Sequence, residues 1–203
     1  MHKGHMFAPF RAVCAVTTLF CSYSQPWFVA GGWAIDLFLG TVTRSHEDVE
    51  LVVIREDQRA FQTYFDEWEL NKVDRHTDTV QYSPWGKSEW LTQSDSSVLA
   101  HSSTGDPVVF EAFFEDMRSG IWHFHRDATI ARPIAEVGGV SAIGGIPYFA
   151  PEIILLWKSK HHRQKDEHDF HQAIPYLEAT QRRWLRNALQ QYRPSDPWLA
   201  ELG

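Results

Sequence analysis

Cysteine is nearly absent: the 203 residues contain two, Cys14 and Cys21. That excludes a disulfide-built fold. Both fall in one expected helix, where they cannot reach each other without breaking it. They read as buried thiols of a reducing compartment, so the expected location is cytoplasmic. Long apolar runs are missing too, which excludes a helical membrane span. Lys3 and Arg11 around the start of the apolar stretch 12–21 faintly imitate a secretory signal, but Thr17 and Thr18 interrupt it, and its removal would cost the fold its first helix. Positive charge is in short supply, with Lys+Arg 19 against Asp+Glu 26 and a formal net charge of −7. An acidic chain is a poor partner for a nucleic acid backbone. Nucleic acid is therefore disfavoured and a small ligand favoured, a cationic one included, although net charge of this size also serves solubility alone. What is plentiful is aromatic: 9 Trp and 13 Phe in a chain long enough for a sizeable core.

Periodicity divides the chain into alternating elements. Residues 7–22 read as an amphipathic helix with Phe10, Cys14, Thr17 and Cys21 near one face. Residues 27–30 form a short strand, 33–39 a helix stopped by Gly40, and 49–54 a strand apolar enough to be central. Residues 56–65 read as a helix with acidic residues at its start, and 68–73 as a third strand. From 74 to 106 the pattern fades into loops and irregular edge strands. Residues 108–114 are again a strand, with Val109, Glu111 and Phe113 on one face. Ser119-Gly120 reads as a hairpin turn before 121–124. After the glycine-rich stretch 138–145, Pro151 and Glu152 open a helical region continuing through 166–177 and 181–191. The expected fold class is α/β (α+β): a mixed β-sheet flanked by helices to about residue 135, then a glycine-rich connection and a helical C-terminal part over 136–203.

The chemistry gathers at two short motifs. Gly31-Gly32 follows the first strand and precedes a helix. Asp48-Val49-Glu50 heads the second strand, and alternation puts Asp48 and Glu50 on the same side. Two like charges held together are costly unless a cation neutralises them. Hard carboxylate oxygens in a compact pair suit Mg²⁺, which leaves its other positions to water and phosphates.

With these residues in place the chain resembles the nucleotidyltransferase fold superfamily. The string Gly31-Gly32-Trp33-Ala34-Ile35-Asp36, followed by Thr43-Arg44-Ser45-His46-Glu47-Asp48, is similar to the small bacterial aminoglycoside and lincosamide nucleotidyltransferases, enzymes of antibiotic resistance. The resemblance is strong across 27–54 and traceable over 108–133 and 151–170. It implies one or two Mg²⁺ ions on Asp48 and Glu50, ATP or another NTP as donor, and transfer of a nucleoside monophosphate to a small-molecule hydroxyl. Glu50 stands where the drug-modifying relatives carry Asp; its extra methylene moves the oxygens by roughly 1.5 Å, which a geometry-demanding Mg²⁺ site can feel.

The resemblance also calls for a third carboxylate on a neighbouring strand, and Glu111 in Phe110-Glu111-Ala112-Phe113 is the best match, as metal ligand or general base. Its alternatives are a sheet-edge acid facing water and an ion pair with an arginine; Glu115 is the runner-up. Gly31, Gly32 and Trp33 are expected at the nucleotide. Arg44 either holds a phosphate or pairs with Glu47 or Asp48. Lys158 or Lys165, in a segment resembling the Lys-Asp signature of related C-terminal helices, is expected to reach the triphosphate, with Asp166 capping a helix. Asp36 reads as a structural acceptor for a backbone turn. His123 and His125 read as ordinary surface residues, and the histidines after Lys158 lack zinc-site spacing. Trp85, Trp90, Trp122 and Trp198 divide between core and ring platform in a way that sequence does not sort. Two other readings stand beside the small-molecule enzyme: a protein- or tRNA-modifying nucleotidyltransferase of toxin–antitoxin type, and a non-catalytic binding module that retains the fold.

Overall fold

The apolar stripe of the first helix decides which way the sheet can be covered. In the computed structural model, which describes residues 8–75, 79–103 and 108–203, helix α1 (Arg11–Leu19) buries Val13 and Val16, continued by Phe10 before it and Phe20 after it. The expected stripe through the cysteines is corrected: Cys14 is half-buried and Cys21 exposed. The branched and aromatic side chains offer more apolar area and take the inward face. Phe7, expected in this helix, lies outside the described residues.

Strand β1 (Trp27–Val29) leads into α2 (Gly31–Leu39), which ends at Gly40 in a left-handed conformation (φ 71°). Strand β2 (Glu50–Ile54) returns antiparallel to β1, with Val29 opposite Leu51. Then follow α3 (Gln58–Tyr64), β3 (Glu69–Asp74), β4 (Gln81–Pro84), β5 (Ser97–His101) and β6 (Val109–Glu115). Strands β7 (Met117–Arg118), β8 (Ile121–Phe124) and β9 (Asp127–Pro133) form a small antiparallel sheet. Strands β10 (Gly138–Val140) and β11 (Pro147–Phe149) precede helices α4 (Pro151–Lys158), α5 (Gln164–Ala173) and α6 (Ala179–Tyr192). The large sheet has eight strands in the order β10-β11-β1-β2-β6-β5-β3-β4, parallel at β11/β1 and at β2/β6 and antiparallel elsewhere.

Two regions differ from the expectation. Within 74–106, β5 is an interior strand between β6 and β3; its apolar run, Val98-Leu99-Ala100, is too short to stand out between Ser97 and His101. Residues 76–78 and 104–106 of that region lie outside the described residues. The glycine-rich stretch after residue 135 contains β10 and leads to β11, and both hydrogen-bond into the large sheet. Gly138 and Gly139 have no room for a side chain, because a Cβ would meet the rings of Phe28 and Tyr148.

Alternation along β2 sends Leu51 and Val53 into a core with α1 and α3, and Val52 and Ile54 into a second core with the C-terminal helices. Glu50 shares the parity of Val52 and Ile54 and so faces the C-terminal helices. In the second core Arg132 of β9 donates to Glu152 of α4 at 2.6 Å, and Gln181 of α6 donates to the other oxygen at 2.8 Å. The Arg132 guanidinium also lies 4.2 Å from the Trp184 ring centre. Three elements are thus tied by one buried carboxylate.

The tryptophans now sort. Trp85, Trp122 and Trp198 are buried core, whereas Trp90 is 51% exposed with Arg59 over its ring. Trp198 stacks on Phe170 at 4.2 Å and donates to Glu167 at 3.0 Å. Trp198→Ala is expected to lower the unfolding free energy by about 3–5 kcal/mol, and Trp90→Ala by no more than about 0.5 kcal/mol. Urea unfolding of the two variants checks the contrast.

Candidate active site

The parallel pairing of β2 with β6 brings the predicted acids together. Glu50 lies directly opposite Glu111, and the Glu111 N–H donates to the Val49 carbonyl at 2.9 Å. Residues in register on paired strands point to one face. Asp48 is exposed and precedes the strand, which starts at Glu50 rather than at Val49. Burial pushes the Glu50 carboxyl above its ordinary range, and the charges of Asp48 and Glu111 push it further, against the pull of Lys158 and Lys165.

Gly31 has a φ of 61°, and a Cβ there would fall on the Glu50 carboxylate. Glycine is what allows Glu50 to fold in against the start of α2. A Cβ at Gly32 would meet the Arg44 guanidinium and the His46 ring. The close approach expected at the glycine pair is therefore made by side chains of this chain. The Trp33 ring is buried, its centre 4.3 Å from that of His46 and 6.1 Å from that of Phe10. The ring is therefore part of the core and not a surface open to a nucleotide. Asp36 does hold a turn: it accepts from the Thr43 N–H at 3.1 Å and the Thr43 hydroxyl at 2.7 Å, with His46 Nε2 at 2.5 Å.

Arg44 pairs with neither Glu47 nor Asp48. It forms a two-pronged pair with Asp169 of α5, Nε to Oδ1 at 2.7 Å and Nη2 to Oδ2 at 2.8 Å. Lys158 at the end of α4 stands 2.8 Å from Asp169 and 3.4 Å from Asp166. Asp166 accepts the Arg163 N–H at 3.0 Å and caps α5. Burial raises the Asp169 carboxyl, but Arg44 and Lys158 outweigh it and hold the group below its ordinary range. Lys165 is more open, 3.9 Å from Glu47.

Glu111 meets the arginine that sequence left as an alternative. Arg75 Nη1 and Nη2 donate to its two oxygens at 2.8 and 2.7 Å, and Nη1 also donates to Ser97 at 3.1 Å. Glu115 is occupied elsewhere, accepting from Trp122 Nε1 at 2.7 Å with His125 at 3.3 Å. Among the described residues no three His, Cys, Asp or Glu side chains form a group that could hold a metal. The donor chemistry of Asp48 and Glu50 fits a hard divalent cation, and the raised Glu50 carboxyl is what such a cation would relieve. Glu111 does not fit as a third ligand while Arg75 holds both its oxygens.

Sequence reasoning passed over Asp169 and Arg75. Asp169 sits inside the charged segment after Lys158, where nothing marks it from its neighbours. Arg75 falls where the periodic signal fades. Beyond Arg75 the same face opens into a cleft of about 720 Å³ floored by Phe113 and Trp157.

The sheet, the glycine-led helix and the paired acids define a nucleotidyltransferase-like fold. A sequence profile of the family described as aminoglycoside-2''-adenylyltransferase matches residues 12–104, a span holding Gly31, Gly32, Arg44, Asp48 and Glu50 but not Glu111. The structure is similar to that of the antibiotic-resistance factor ANT(2'')-Ia, with a TM-score of 0.56 at 17% identity over 94% of each chain. It is also similar to the lincomycin-bound lincosamide antibiotic adenylyltransferase LnuA, with a TM-score of 0.54 at 14% identity over 82% of this chain and 97% of that one. No curated protein sequence gives a significant match.

Two variants test the electrostatics. Asp169→Asn leaves Arg44 and Lys158 without their carboxylate and is expected to cost about 3 kcal/mol at pH 7. Because the Asp169 carboxyl is depressed, the wild-type advantage is complete above about pH 4, the ordinary carboxylate range, and is lost as pH falls below it. Glu50 has the opposite sign. Its carboxyl is raised, so ionisation opposes folding; Glu50→Gln is expected to raise the melting temperature at pH 7, with the gain vanishing below about pH 4.3. Melting curves across pH for both variants give the answer.

Proposed function

We propose that the protein transfers AMP from ATP to a hydroxyl group of a small molecule, with Mg²⁺ bound by Asp48 and Glu50. The observation that carries this reading is Glu50 in register with Glu111, with Asp48 just ahead and Gly31 folded against Glu50. The family match and the two similar structures support it and make aminoglycosides and lincosamides the first acceptors to try.

The metal would supply neutralisation of phosphate charge and orientation of the triphosphate. The chain's own residues supply the remainder. The N–H groups of Gly32 and Trp33 open α2, where a helix start favours phosphate oxygens. Lys165 is open enough to reach a phosphate, while Arg44 and Lys158, anchored by Asp169, add positive field from a fixed position. Glu111 stands between the acid pair and the cleft and takes the proton of the acceptor hydroxyl once Arg75 moves off it. The acceptor oxygen bonds to the α-phosphorus, the bond from that phosphorus to the β-phosphate oxygen breaks, and pyrophosphate leaves. A second reading, nucleotide binding without turnover, is favoured by the Arg75–Glu111 pair itself.

Calorimetry of Mg²⁺–ATP binding comes first, followed by pyrophosphate release with a panel of hydroxyl compounds. Asp48→Asn is expected to cut turnover by about 100-fold or more and to remove the metal dependence of binding. ATP binding that ignores both Mg²⁺ and Asp48, in a folded protein, overturns the proposal. Metal-dependent binding with no release for any acceptor selects the second reading.

A further inference from the structure

Arg75 is held differently from the other arginines that join a buried acid on a separate element. Arg132 and Arg44, the partners of Glu152 and Asp169, have side chains only 9% and 19% exposed. They are enclosed with their acids. The Arg75 side chain is 47% exposed, over a Glu111 side chain that is 6% exposed. Arg75 therefore covers its acid from the solvent side. A half-exposed guanidinium gives up its partner at less cost than a buried one, because water already reaches it. Its anchorage is local: the two Glu111 oxygens, the Ser97 hydroxyl, and the Phe113 ring centre 6.0 Å away.

The same guanidinium stands in the field of the acid pair. Its hydrogen bonds to Glu111 raise its pKa most, against burial, and the charges of Glu111 and Glu50 raise it further. Glu50 is one strand spacing, about 5 Å, from Glu111. Turning about its side-chain bonds is enough to carry the fork from Glu111 to a group held over Glu50. The other cations near the acids are less free. Arg44 and Lys158 are tied to Asp169, which leaves Lys165 on the side of the C-terminal helices and Arg75 on the side of β3. A guanidinium fork matches phosphate oxygens as it matches a carboxylate, and a triphosphate carries more charge than one carboxylate.

We propose that Arg75 is a phosphate-binding residue of the transfer site, parked on Glu111 until the nucleotide arrives. The proposal rests on the nucleotidyl-transfer reading above and adds an order to it. In the nucleotide-free protein both Glu111 oxygens are engaged, so Glu111 does not take the proton of a hydroxyl. Once the triphosphate is seated beside Glu50, the guanidinium turns to its oxygens and uncovers Glu111. The acceptor hydroxyl is then deprotonated only when a nucleotide is there to be attacked.

Calorimetry of Mg²⁺–ATP binding to the full chain compares wild type, Glu111→Gln and the double variant Arg75→Gln/Glu111→Gln. None of these leaves Glu111 buried without its arginine. Glu111→Gln loosens the hold on Arg75 and is expected to bind Mg²⁺–ATP about tenfold more tightly than wild type, the worth of one charge-assisted contact. The double variant is expected to bind no more tightly than wild type. In ¹⁵N-arginine NMR of wild type, the guanidinium signal that is lost in Arg75→Lys is expected to shift on saturation with Mg²⁺–ATP. The proposal is overturned if Glu111→Gln binds no more tightly than wild type, if the gain persists in the double variant, or if the Arg75 signal does not move. Should Glu111→Gln fail to fold, the wild-type NMR measurement decides. Absence of Asp48-dependent Mg²⁺–ATP binding in wild type would overturn the transfer reading and this proposal with it. Asp48-dependent binding with an unmoved Arg75 signal would overturn this proposal alone.

Discussion

Three carboxylates at one end of two parallel strands are the constraint around which this molecule is arranged. Like charges one strand spacing apart, about 5 Å, repel by roughly 3 kcal/mol at an effective dielectric constant of 20. That is a sizeable part of the whole stability of a domain, so positive charge has to come from elsewhere in the fold. It comes from two directions. Arg75, at the end of β3, closes on Glu111. Lys158 and Lys165, on the C-terminal helices, act on Glu50 from the other side. Burial first, and then the charges of Asp48 and Glu111, leave the Glu50 carboxyl raised against those lysines, and a cation there would relieve it.

This constraint explains why the C-terminal helices are tied so firmly to the strands. Arg44 and Asp169 are 125 residues apart in sequence yet form a two-pronged pair, and Lys158 shares the same carboxylate. Arg132, Glu152 and Gln181 make a second tie through the core. Buried ion pairs of this kind are poor sources of net stability but costly to break. The first of them also holds Lys158 at the Asp169 carboxylate.

The net charge of −7 is not spread evenly over the surface. The cleft beyond Arg75 is lined by Arg55, Arg75, Arg118, Arg126 and Lys160 against Glu115 and Asp116. Arg75 lies on the border between the two fields, engaged with Glu111 and lining the cleft.

Local sequence determined the glycine-led helix and its stop at Gly40, the apolar strand behind Glu50, and the acid at position 111 with a face it must occupy. Each depends on neighbours a few residues away, so periodicity and turn chemistry reveal it. It did not determine which acids would share a register, because strand pairing joins residues 50 and 111 across intervening elements. Nor did it determine the partners of Arg44 and Glu111. In a chain with 26 acids and 19 bases the choice among them is made by the geometry of packing. Asp169 and Arg75 acquire their roles only when the helices and the third strand close around the sheet.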